Sequence, residues 1–312
     1  MLDGICKSAG LKKPEGDERD RILDAAAGMT CGEAENACAL AVVETKAVDP
    51  GVVAREKASA VRKNGLLEVV PVGGSLDDVG GLETLKAWLL QRRDAFGQRA
   101  REYGLPPPKG LLIAGIPGTG KSLTAKATAS VFGRPLLKLD AGRLYGGLVG
   151  QSEGNLRAVI RTAEAVAPCV LWIDEIEKGF AGSQSSGRTD GGTSARVFGS
   201  FVSWMQEKTA PVFVVATAND VARLPPELLR KGRWDELFFV DLPNPEERRA
   251  VWEIQFRKFG RDPGGFDLRA LTEMSEGYTG AEIGQAVADA LYAAFAEGRE
   301  PDTALVCRVT AD

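Results

Sequence analysis

Residues 110–132, GLLIAGIPGTGKSLTAKATASVF, restrict the possible folds of this chain more than any other stretch. An apolar run of strand character ends in glycine. The pattern G-x-x-x-x-G-K-S follows at 115–122, and helix-forming residues take over at once. Strand, glycine-rich loop and helix in that order form a phosphate cradle. Glycines let the backbone turn its N–H groups inward around an anion, and the helix adds the positive end of its dipole. Pro117, Gly118, Thr119, Gly120, Lys121, Ser122 and Leu123 are therefore the candidate contacts to a nucleotide. Lys121 is placed to reach the β- and γ-phosphates, and the Ser122 hydroxyl is a candidate ligand for Mg²⁺.

From residue 110 onward, short apolar runs alternate with helical stretches: GLLIAG, PLLKLD, CVLWIDE, PVFVVATAND and LFFVDLP. Five buried-strand candidates joined through helices predict an α/β domain with a five-stranded parallel sheet. The run CVLWIDE (169–175) ends in two acids. Asp174 is placed to hold the magnesium hydration shell and Glu175 to polarise an attacking water, a pairing that suits phosphoryl transfer to water. The run VVATAND (214–220) brings Asn219 to the same edge, where an amide can orient the water or the γ-phosphate. In ELLRKGRWDELFF (227–239), Arg230 and Arg233 flank a glycine. Two cations in a tight turn need anions, either surface carboxylates or a ligand.

Composition narrows the chemistry. The chain has no histidine, which removes imidazole bases and His-ligated metal centres. Its net charge of −4 lacks the basic excess of a general nucleic-acid binder, and no basic groove interleaved with aromatics favours a nucleic-acid motor. No apolar run reaches the ~18 residues that span a bilayer, and no basic-then-apolar leader opens the chain. Five scattered cysteines, an odd number, fit the reduced thiols of a cytoplasm, an organelle stroma or a virus-infected cytosol.

Residues 1–70 read as helical, 71–75 (PVGGS) as a linker, 76–242 as a large α/β domain and 243–312 as a helical C-terminal domain. GMTCGEAENACALA (28–41) and GYTGAEIGQAVADA (277–290) carry one pattern at an offset of 249 residues, 277 − 28. Each pairs a helix-ending glycine, Gly28 or Gly277, with a T-x-x-E capping box, Thr30 with Glu33 or Thr279 with Glu282. Alanines at helical spacing follow in both. The two ends thus share a helix–turn–helix design, by duplication or by convergence on common caps. Residues 1–70 hold no phosphate loop.

The segments DDVGG (77–81), GIPGTGKS, WIDE, TAND, LLRKGRWDE and GYTGAE occur in the order of the AAA ATPases, and the chain resembles that family over about residues 76–298. The resemblance implies a P-loop core followed by a helical lid, and before it a lid-like remnant of a degenerate first AAA module. It implies ATP and Mg²⁺ as cofactors. It also implies an adenine pocket at Asp78, Val79 and Gly80, closed by Gly280 and Ala281 of the lid. Ala281 stands where many related ATPases carry a sensor arginine. A homo-oligomer is implied, a hexameric ring formed with ATP, in which Arg230 is the arginine finger for the neighbour's site and Arg233 its companion. Rings of this family often thread polymers through a pore. The corresponding loop here is GLVG, so Leu148 and Val149, with Tyr145 just ahead, are the expected contacts to a protein substrate. An aliphatic Leu148 offers less stacking area than an aromatic ring. The Gly/Ser-rich stretch 181–194 is the expected second pore loop. GGLVGQSE, DGGTSARVFGSFVSWMQEK and LPPELLRKGRWDE further resemble the stand-alone AAA ATPases of cyanobacteria and plastids. The expected function is ATP hydrolysis coupled to remodelling of a protein complex. The alternative is a nucleotide-gated binding or regulatory module that does little mechanical work.

Overall fold

The computed structural model describes residues 2–26, 29, 31–59, 65–72, 74–144, 151–180 and 191–311. Among them six strands form one sheet: β1 (Leu67–Val70), β2 (Gly110–Gly115), β3 (Leu136–Asp140), β4 (Cys169–Asp174), β5 (Val212–Ala218) and β6 (Glu236–Val240). Their order across the sheet is β1-β3-β4-β5-β2-β6. Strands β2 to β6 pair in parallel, as the alternation of strands and helices predicts. The central strand β5 is buried at every position, which is why it is apolar throughout rather than alternating. One face packs on the helices Gln151–Val166 and Gly191–Glu207, with Leu156, Phe201 and Met205 in that core. The other packs on the helices Glu83–Arg92 and Lys121–Phe132, through Leu89, Phe132 and Phe213.

Strand β1 corrects the expectation of five strands and a wholly helical stretch up to residue 70. It runs antiparallel along β3, with Leu67 opposite Leu139 and Val70 opposite Leu136. Four residues are too few to show a period. The open edge of β3 supplies the backbone partners that select the strand.

Helices form a unit at each end. The N-terminal unit has helices Leu2–Ser8, Gly16–Ala26, Cys31–Thr45 and Pro50–Ser59 around Cys6, Ile22, Cys38 and Val53. Its Lys57 donates to the Ala167 carbonyl at 2.8 Å, just ahead of β4. The C-terminal unit has helices Pro245–Lys258, Leu268–Met274, Gly280–Ala296 and Thr303–Ala311 around Trp252, Phe256, Leu271 and Ile283. Gly28 and Thr30 lie outside the described residues. The offset noted between them and Gly277 and Thr279 nevertheless extends to packing: it carries the buried residues Ala34, Ala37, Cys38 and Ala41 onto the buried residues Ile283, Ala286, Val287 and Ala290. All five cysteines are free. No described helix is long and apolar enough to cross a membrane.

Candidate nucleotide site

The loop after β2 adopts the backbone its glycines permit. Gly118 (φ +84°) and Gly120 (φ +90°) are both left-handed, a region costly for residues with a Cβ. Lys121 begins the following helix and is only 7% exposed. Its ammonium donates to the carbonyls of Gly115 and Ile116, each at 2.7 Å, so the lysine closes on its own loop. Burial pushes its pKa down, while Glu177, Asp174 and Glu175 oppose that shift. Thr119 braces the loop by donating to the Ile116 carbonyl at 2.7 Å. Ser122 and Leu123 are exposed beside it.

The acids arrive from the neighbouring strands. Asp174 ends β4, and its Oδ1 accepts the Thr217 hydroxyl from β5 at 2.8 Å. Its Oδ2 lies 2.9 Å from the Lys138 ammonium of β3, which also sits 4.3 Å from the centre of the Trp172 ring. Glu175 follows with φ +50°, a strained left-handed backbone for a residue with a Cβ. Its N–H donates to the Thr217 hydroxyl at 3.3 Å, and its Oε1 accepts the Asn219 amide at 3.0 Å. Its Oε2 pairs with Lys178 at 2.5 Å. Glu177, 4% exposed, accepts the backbone N–H of Asn219 at 3.0 Å through Oε1, and its buried Oε2 has no hydrogen-bond partner.

Thr217, Glu177, Lys138 and Lys178 belong to this site, and the sequence reading assigned none of them. Thr217 and Glu177 stand within two residues of Asn219 and Glu175, which is a signal of sorts. Lys138 has no such signal, because only the pairing of β3 with β4, Asp140 opposite Asp174, brings it there.

The lid meets the loop directly. The Ala281 N–H donates to the Gly118 carbonyl at 3.0 Å, and a Cβ on Gly118 would stand 2.8 Å from the Thr279 hydroxyl. Thr279 and Glu282 form the expected capping box: each accepts the other's backbone N–H, at 3.3 and 2.7 Å. Gly280 lies against the Gly118 carbonyl and Val251. Gly80 packs so closely on Val251 that a Cβ there would come within 2.5 Å of it. Val79 is buried beside Gly80. The candidate adenine segment, the lid and the phosphate loop therefore converge. Asp78 serves its own turn instead: its carboxylate accepts the Ser75 N–H at 2.6 Å in a second capping box.

Arg230 and Arg233 stand apart from these groups. Asp235, two residues after Arg233, donates its N–H to the Gly110 carbonyl at 2.8 Å, at the start of β2. The phosphate loop leaves from the other end of that strand, about 16 Å away at the rise of an extended chain. Arg230 is exposed and forms no ion pair among the described residues, and the buried Nε of Arg233 has no hydrogen-bond partner there. Tyr145, Leu148 and Val149 lie outside the described residues, as does 181–190 of the expected second pore loop.

The donor set fits a magnesium nucleotide. A left-handed glycine cradle, a helix N-terminus, a hydroxyl at Ser122 and the carboxylate of Asp174 lie at one edge of a parallel sheet. Fold and site define a P-loop domain of the AAA class. Residues 111–242 match the ATPase family associated with various cellular activities (AAA), and the chain carries a domain of that family. Residues 1–64 match the second domain of SpoVK-like AAA ATPases. The chain is similar to the uncharacterized AAA domain-containing protein ycf46 of Pyropia yezoensis, 50% identical over 81% of this chain and 51% of that protein. Its counterpart in Guillardia theta is 44% identical over 95% of this chain and 59% of that protein. The one in Trieres chinensis is 49% identical over 82% and 51%. The chain thus spans about half to three-fifths of the length of these relatives. The match of residues 111–242 to that family supports a nucleotide-dependent activity.

Proposed function

We propose that this protein hydrolyses ATP with Mg²⁺ as an assembled ring and uses the turnover to remodel a protein complex. The observation that carries the reading is the Asn219 amide on the Glu175 carboxylate at 3.0 Å, near enough to the phosphate loop for the Glu175 charge to act on Lys121. A carboxylate held by an amide is a general base with a fixed direction. Glu175 takes the proton of the attacking water, and Asn219 sets the angle of that carboxylate. Lys121 exchanges its loop carbonyls for the β- and γ-phosphates. Ser122 and Asp174 would hold Mg²⁺, which would neutralise phosphate charge.

The far placement of the arginine turn supports a shared site. Arg230 starts too far from its own loop to meet a γ-phosphate there, and it is exposed. It suits a neighbour's site, where a cation placed in trans is worth about 10³-fold or more in rate. Assembly then controls turnover. The matched burial in the two helical units supports reading the helices within residues 1–64 as the lid of a degenerate first module.

The test is the solution mass of Glu175→Gln with and without ATP, beside the ATPase rate of the parent chain with and without added protein substrates. Nucleotide-dependent growth from one subunit to a hexameric ring, with substrate-stimulated turnover in the parent, is the expected result. A chain that stays monomeric with ATP would leave Arg230 no site to serve and would overturn the shared-site reading. Assembly and turnover that no protein stimulates would favour the gated module instead.

A further inference from the structure

A side chain outside the arginine turn holds it in place. Lys109, the residue before β2, donates from Nζ to the Gly232 carbonyl at 2.7 Å and to the Gln206 carbonyl at 3.2 Å. Gly232, with φ +94°, is the pivot between Arg230 and Arg233. Gln206 lies in the last turn of the helix Gly191–Glu207, where carbonyls lack intrahelical partners and a cation is favoured. One ammonium therefore bridges the end of that helix and the turn that presents both arginines.

The surroundings leave Lys109 little freedom. Its own N–H and that of Gly110 donate to Asp235 Oδ2 at 2.7 and 2.9 Å. Trp234, 4% exposed, closes the turn from inside by donating Nε1 to the Leu228 carbonyl at 2.9 Å. Without the ammonium, the Gly232 carbonyl loses this donor at the one residue type with the widest backbone freedom.

We propose that Lys109 is a positioning residue for the trans-acting arginines, tying their turn to the end of the helix Gly191–Glu207. This rests on the reading of Arg230 as acting on a neighbour's nucleotide. Lys109 touches no nucleotide itself. Its effect is on where the guanidinium stands, and a displacement of about 1 Å can cost 10²-fold in rate.

Lys109→Met removes the donors and keeps most of the stem, and Lys109→Arg keeps donors. The ATPase kcat, the KM for ATP and the ATP-dependent assembly are measured for both. For Lys109→Met, kcat is expected to fall about tenfold or more, with KM and assembly unchanged. Lys109→Arg is expected to recover most of the loss. Mixing Lys109→Met with Lys121→Ala subunits should restore turnover, because the second partner offers an intact arginine turn to the first partner's intact site. An unchanged kcat, or a loss that follows a loss of assembly, overturns the proposal. If Lys109→Met does not fold, Lys109→Leu carries the same comparison. Arg230→Ala mixed with Lys121→Ala in parallel separates the two possible failures. Rescue there without rescue of Lys109→Met overturns the positioning role alone. No rescue in either mixture overturns the shared-site reading and the inference with it.

Discussion

Asn219, the first residue after β5, donates its side-chain amide to Glu175, the first residue after β4, at 3.0 Å. Two neighbouring strands thus end in one hydrogen-bonded pair. Thr217 reinforces it from β5 by accepting the Glu175 N–H and donating to Asp174. A left-handed glutamate persists only where its surroundings over-determine it. Here those surroundings are the groups that would handle water and metal.

Replacement of Asn219 by alanine should therefore damage chemistry more than binding. Loss of one preorganised polar partner of this kind costs about 10²-fold in kcat. Steady-state hydrolysis and a nucleotide titration check both halves of this expectation. A parallel drop in ATP affinity would mean that Asn219 serves binding instead.

Lys121 and Glu175 should separate binding from hydrolysis. ATP at a hundredfold excess over its Kd stabilises a folded protein by about 2.7 kcal/mol. The parent and Glu175→Gln should both show this rise in thermal unfolding with Mg²⁺ and ATP. Lys121→Ala should show none, and only the parent should release phosphate. A full nucleotide-induced shift in Lys121→Ala would refute the assignment of the phosphate loop.

Gly118 couples the loop to the lid. A Cβ there would lie 2.8 Å from the Thr279 hydroxyl and 3.2 Å from Ala281 Cβ, on a backbone of φ +84°. The left-handed backbone alone costs an alanine roughly 1–2 kcal/mol. Gly118→Ala should lower the unfolding temperature modestly and weaken nucleotide binding, since relief of the contact pushes the lid from the loop. Equal nucleotide affinity in the two chains would show that the lid contact is dispensable.

Lys208, at the opposite end of the sheet, makes stability depend on pH. Its ammonium donates to the Val212 carbonyl at 2.5 Å. Burial pushes its pKa down from 10.5 to about 8, with Asp235 opposing and Lys109 adding to the fall. Between those two values the unfolded chain binds more protons than the folded one, so this group makes stability rise with pH across that window. The cost of burying its charge is present in full below about pH 8. Lys208→Met should thus gain more stability over the parent below that pH than above pH 10.5. Denaturant midpoints at both ends of the window measure it. An identical difference at the two ends would mean that Lys208 keeps its ordinary titration.

The phosphate loop, the acids at the end of CVLWIDE and the cap at Thr279 could be read from the chain because each is local. Strand, glycines, lysine and helix lie within 23 residues, 110–132, and the glycine backbone angles follow from steric rules alone. Asn219 was legible as a polar residue ending an apolar run. The rest was decided by pairing between distant segments. Lys138 reaches Asp174 only because β3 lies beside β4 in that register. Strand β1 exists only because β3 offers an open edge. The arginine turn sits at the far end of β2 only because Asp235 and Lys109 tie it there, across more than a hundred residues of sequence. Local pattern determines which backbone shapes a segment can adopt. Which charges then meet depends on strand order and register, and those are settled only when the whole sheet is buried on both faces.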